Sequence, residues 1–103
     1  VVQKHYPNSF RETPLQGILT DLGVDRFTIA GMMTHMCVHA AARAAVDLGY
    51  SCRVAGDACA TKALTWNDQL VPAQHVHTAF LAALAGSYCP VTTVDEILAG
   101  LNA

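Results

Sequence analysis

The stretch Gly31-Met32-Met33-Thr34-His35-Met36-Cys37-Val38 holds the residue types best suited to chemistry. It follows a β-rich run directly and opens an alanine-rich helical pattern. With Thr34 as N-cap, Cys37 falls at the third helical position, inside the first turn. Unpaired backbone N–H groups and the helix dipole there favour a thiolate, the nucleophilic form of cysteine. The same N–H groups suit an oxyanion formed when sulfur attacks a carbonyl. A buried inert thiol fits the position as well. The other three cysteines read as packing residues: Cys52 in a strand, Cys59 in the loop beyond it and Cys89 before Pro90.

Other reactive types carry weaker signals. His35 and His39 are spaced i, i+4, which sets two imidazoles on one helix face. No glutamate follows His35 and no third ligand is evident, so no metal site is assigned. His75 and His77 lie two apart on a helix and point to different faces, His77 toward a neighbouring element. Asp57, just past a strand, is expected to cap the turn that follows. Met32, Met33 and Met36 suit an apolar substrate pocket and plain core packing equally. Phe10, Tyr6 and Trp66 are candidate pocket walls.

These residues need a frame. Arg26-Phe27-Thr28-Ile29-Ala30 and Cys52-Arg53-Val54-Ala55 read as buried parallel strands, with a third at Val91-Thr92-Thr93-Val94. Helical patterns fill the gaps: about Pro14 to Leu22 with Thr13 as N-cap, His35 to Leu48, Ala73 to Ala85 before Gly86, and Asp95 to Leu101. Val1-Val2-Gln3-Lys4 reads as the end of a strand, and residues 61–71 as the one extended irregular stretch. Strand–helix alternation with short connections predicts an α/β fold: a three-layer, doubly wound, mainly parallel sheet with helices on both faces.

Composition bounds the function classes. The chain has 103 residues, 52% hydrophobic and 14% charged, with a net charge of −2. That suits one small domain or part of a larger one, and excludes a disordered chain. Six Lys/Arg against eight Asp/Glu argue against a nucleic-acid surface. The longest small-and-apolar run falls far short of the roughly 20 residues of a membrane span. No signal peptide is visible, and the irregular cysteine spacing favours reduced thiols in the cytoplasm.

Gly31 through Val38, then Ala44-Ala45, Leu48-Gly49-Tyr50 and Asp57-Ala58-Cys59-Ala60, resemble the isochorismatase-like cysteine hydrolase family. Upstream, Lys4 with Asn8-Ser9-Phe10, Thr13, Leu15 and Leu19 is similar to the family's lysine-bearing segment. Val71-Pro72-Ala73 and Val76-His77-Thr78-Ala79-Phe80-Leu81 extend the likeness over nearly the whole chain. The family includes nicotinamidases and carbamoylsarcosine-type amidohydrolases that use an Asp–Lys–Cys triad. The resemblance implies Cys37 as nucleophile and Lys4 as the cation beside it. It also implies a non-proline cis bond at Met32–Met33, with the N–H groups of Met33 and Cys37 as oxyanion donors.

The family's catalytic Asp and the Asp/His metal cluster of nicotinamidases belong to earlier strands. None of Asp21, Asp25, Asp47, Asp57, Asp68 or Asp95 matches those motifs. Residues 1–103 are therefore expected to form the C-terminal portion of the domain, lacking the N-terminal strands. The expected function is hydrolysis of a small-molecule amide or related C–N bond through a thioester at Cys37, without a cofactor. Phe10, Met36 and Trp66 are the pocket candidates. The expected partners are a small-molecule substrate and either further copies of the chain or the missing N-terminal half, with no nucleic acid and no membrane. Alone, the chain is expected to lack normal turnover. The alternative is a non-catalytic α/β fragment serving as an oligomeric assembly module.

Overall fold

The computed structural model describes residues 1–101. In chain order it contains α1 (Leu15–Asp21), β1 (Arg26–Met32), a π-helical turn (Thr34–Val38), α2 (His39–Asp47) and β2 (Ser51–Ala60). A hairpin follows, β3 (Leu64–Trp66) and β4 (Gln69–Val71), then α3 (Ala73–Ser87), β5 (Val91–Thr92) and α4 (Val94–Leu101). The fold is α/β. β1, β2 and β5 form a parallel sheet in the order β1-β2-β5, and the hairpin is a separate antiparallel pair.

The core lies between β2 and the helices α2 and α3. Val38, Ala42, Ala45, Cys52, Val54, Leu84 and Cys89 form one buried cluster. Ala42, Ala45, Val54 and Leu84 have no exposed surface. Alanine favours helix and lets α2 approach the sheet closely, while alternate residues of β2 point into the same layer. Burying a side chain such as Leu84 stabilises the fold by about 2–3 kcal/mol. α1 buries none of its residues, and Ile18 and Leu22 on its apolar side stay exposed. Among the described residues β1 pairs with β2 alone, so its other edge is free.

The register between β1 and β2 breaks just below the candidate chemistry. Ile29 lies opposite Val54 and Gly31 opposite Cys59, so β2 advances five residues while β1 advances two. Such a bulge bends the strand and re-aims the residues at its end. Gly56 sits in it for want of room: a Cβ there would meet Val91 Cγ1 at 3.1 Å and Leu81 Cδ1 at 3.2 Å.

Several local expectations are corrected. Residues 1–14 contain neither helix nor strand, so Val1-Val2-Gln3-Lys4 is not a strand end. Pro14 rather than Thr13 stands at the N-cap of α1, although Thr13 Oγ1 still accepts the Leu15 N–H at 3.3 Å. β2 runs on to Ala60 and includes Cys59, which is not in a loop. The stretch 61–71 is not irregular: Asn67 and Asp68 have φ of 51° and 60°, a two-residue left-handed turn that suits a hairpin. α3 passes through Gly86 to Ser87 instead of stopping before it. β5 ends at Thr92 because Val94 already begins α4. Among the described residues no helix is long and apolar enough to cross a membrane.

Candidate active site

The site is built at the carboxyl end of β1, where open α/β sheets bind ligands. Gly31 has φ of +143°, a conformation that L side chains rarely adopt, as the strand leaves the sheet. The Met32–Met33 peptide bond is cis. Met33 is extended and stands at the N-cap of the turn Thr34–Val38, without a side-chain cap. Its carbonyl accepts N–H groups from Met36 at 3.0 Å and from Val38 at 3.2 Å, the second a bond across five residues.

Two sequence expectations change here. Thr34 is not the N-cap, and Cys37 is the fourth residue of a π turn rather than the third of an α-helix. The Thr34 side chain is fully buried, and its Oγ1 lies 2.9 Å from His77 Nδ1 on α3. A hydroxyl turned inward to that partner is not free to close the backbone of its own turn. Nothing local in the sequence signals this pair, whose members stand 43 residues apart.

A cavity of about 160 Å³ opens beside the turn, and Lys4, Ser9, Gly31, Met32, Cys37 and Val38 are among its walls. Lys4 Nζ donates to the carbonyls of Tyr6 at 3.3 Å and Pro7 at 3.0 Å, which pins the ammonium on the N-terminal coil. Cys37 is half-buried. Lys4, Met32 and Cys37 are thus brought together, while Met33 is not a wall of the cavity and stands at the head of the turn. Phe10, Met36 and Trp66 are not walls of this cavity. Phe10 stacks on Tyr50 at 5.7 Å, whereas Met36 and Trp66 face solvent. Among the described residues no carboxylate lines the cavity. A larger hollow of about 610 Å³ opens at the opposite end of the strands, between Arg26, Ser51, Arg53 and Pro90, and contains no part of the Cys37 turn.

His35 and His39 flank the turn without walling the cavity. His35 Nδ1 lies 2.7 Å from Thr61 Oγ1 just past β2. The rings of His35 and His39 both pack on Phe80, at 5.9 and 5.2 Å. His39 Nε2 is buried without a partner, and burial, aided by Arg43, holds this imidazole below its ordinary pKa. Among the described residues no three His, Cys, Asp or Glu gather, so nothing here fits the metal that the resemblance associates with nicotinamidases.

Cys37, Cys52, Cys59 and Cys89 are all free thiols. Burial pushes Cys52 and Cys59 upward, the Gly31 N–H partly offsetting the rise at Cys59. Burial and the neighbouring Cys52 push Cys89 up to about 12. These three are inert protonated packing groups at neutral pH.

Known proteins share the sequence and fold of this chain. The uncharacterized isochorismatase family protein YddQ of Bacillus subtilis is 51% identical over 98 residues, covering 95% of this chain and 54% of YddQ. A crystal structure of an isochorismatase-type hydrolase from Oleispira antarctica superposes with a TM-score of 0.94 at 52% identity, covering 97% of this chain and 53% of that one. The nicotinamidase SaPncA of Staphylococcus aureus superposes with a TM-score of 0.74 at 28% identity, over 89% of this chain and 52% of its own. The chain therefore spans about half the length of these relatives. The family model for the isochorismatase domain matches residues 1–96, and the chain belongs to the isochorismatase family.

Proposed function

We propose that the chain carries the nucleophile and its supporting cation for hydrolysis of a small-molecule amide or related C–N bond. The observation that carries this reading is a cavity walled by both Lys4 and Cys37, at the carboxyl end of β1. In the proposed reaction Cys37 Sγ attacks the substrate carbonyl carbon. The resulting oxyanion is held by the N–H groups of Met33 and Cys37. The tetrahedral adduct expels the amine, and water hydrolyses the thioester to the free acid. The Lys4 ammonium offsets the negative charge on sulfur. The nicotinamidase among the structural relatives supports amide chemistry.

Proton transfer to the leaving nitrogen needs an acid, and among the described residues no carboxylate lines the cavity. In this reading the carboxylate comes from outside the 103 residues, and the free edge of β1 is where the strand bearing it adds. The four free thiols suit a reducing, cytoplasmic setting.

Alkylation by iodoacetamide with peptide mapping tests the nucleophile, and ammonia release from a panel of small carboxamides tests the reaction. The expected result is rapid stoichiometric labelling of Cys37 near pH 7, with no turnover by the chain alone. Turnover is expected on mixing with the remaining half of YddQ. A Cys37 no more reactive than glutathione overturns the nucleophile assignment. Robust Cys37-dependent hydrolysis by the chain alone overturns the outside carboxylate.

A further inference from the structure

The turn that carries Cys37 has no side-chain cap of its own, and a π turn is a rare geometry. It is held from outside. Thr34, its first residue, has no exposed surface, and Thr34 Oγ1 lies 2.9 Å from His77 Nδ1 on α3. A hydroxyl with no access to water must find a protein partner, and leaving it unmade is costly. Thr34 follows Met33 directly and precedes Cys37 by three residues in the same turn. Its bond ties the first residue of the turn to α3. The next residue is tied to the segment just past β2, through His35 Nδ1 and Thr61 Oγ1 at 2.7 Å.

We propose that His77 is a positioning residue: through Thr34 it holds the Met33 N–H and Cys37 Sγ in the arrangement that attack on a carbonyl requires. The inference rests on the reading of Cys37 as nucleophile. His77 is not a wall of the cavity, so it acts on the turn and not on the substrate. The residue on α3 thereby joins the site although it is remote from it in sequence.

The test is iodoacetamide labelling of each cysteine in the 103-residue chain, followed by peptide mass mapping. His77→Leu and Thr34→Val remove the bond, whereas His77→Asn and Thr34→Ser keep a polar atom near the same place. Losing one hydrogen bond at the turn is expected to slow Cys37 labelling about tenfold in the first pair, with the second pair within about threefold of the parent. Cys52 and Cys89 are expected to stay unlabelled throughout. A merely structural role would do the reverse, exposing Cys52 and Cys89 to the reagent, and would overturn the inference. Unchanged Cys37 labelling in both Thr34→Val and His77→Leu would overturn it too. If His77→Leu does not fold, Thr34→Val, which preserves shape, decides alone. A sluggish Cys37 in the parent overturns the nucleophile reading and this inference together. A fast parent with equally fast variants overturns the inference only.

Discussion

Asp57 reaches from β2 to the start of α4, where its Oδ1 accepts the Val94 N–H at 2.9 Å. Two neighbouring threonines complete the cap. Thr93 Oγ1 accepts the Glu96 N–H at 3.2 Å, and Thr92 Oγ1 donates to Glu96 Oε2. α4 fully buries none of its residues, so these polar contacts carry an unusual share of its attachment. Asp57→Ala is expected to cost about 1 kcal/mol and Asp57→Asn only a few tenths. Urea denaturation followed by circular dichroism checks both.

The buried thiols make the fold sensitive to alkali. Cys89 is pushed up to about 12 from an ordinary value of 9.0, and Cys52 is raised as well. The unfolded chain therefore loses these protons at lower pH than the folded one. The stabilisation is fully present below pH 9 and is lost as pH rises toward 12. Stability measured across that window is expected to fall, and to fall less steeply in Cys89→Ala, whose stability at neutral pH is lower through the cavity it leaves.

His39 produces the opposite limb. Burial, then Arg43, lowers its pKa below 6.5, so the unfolded chain takes up a proton that the folded chain resists. Stability is expected to hold above pH 6.5 and to decline as pH falls through the lowered folded value. His39→Leu removes the orphaned Nε2 and keeps apolar contact with Phe80. Its stability between pH 6.5 and 5 is expected to decline less than that of the parent, as melting temperatures across the range would show.

Gly56 is a steric constraint at the bulge. In Gly56→Ala the new methyl presses on Val91 Cγ1 and Leu81 Cδ1, both inside ordinary contact distance. The expected cost is about 1–2 kcal/mol. Truncating one neighbour in the double variant Gly56→Ala, Leu81→Ala is expected to be less damaging than the sum of the two single changes. Urea midpoints of the three variants measure that coupling.

Most of the fold was legible because it rests on local pattern. The apolar runs at Phe27-Thr28-Ile29 and Cys52-Arg53-Val54 marked parallel strands, and the alanines from Ala40 to Ala45 marked a helix able to lie close to them. What escaped was non-local or lacked its usual residue. The turn at Asn67-Asp68 carries no glycine, so the hairpin read as a loop. The bulge in β2 is set by packing of Gly56 under Val91 and Leu81, which no spacing along the chain reveals. At the candidate site, the strand–glycine–cysteine order located Cys37, but it suggested an ordinary capped helix. The hydroxyl that was to cap it turns instead to His77, a partner supplied by a helix far along the chain.

Trp66 gives the chain an optical property of its own. It is the single tryptophan, it is 79% exposed, and it ends the first strand of the hairpin. An indole already in water emits much as it does in the unfolded chain, so melting of the core passes almost unseen in its fluorescence. The segment between β2 and the hairpin, however, is fastened to the Cys37 turn through Thr61 and His35. A surface that covers the hairpin takes that indole out of water and is expected to move its emission to the blue, while the core stays silent. The chain thus contains a native, label-free reporter of events at its surface near the turn, separate from any signal of its unfolding.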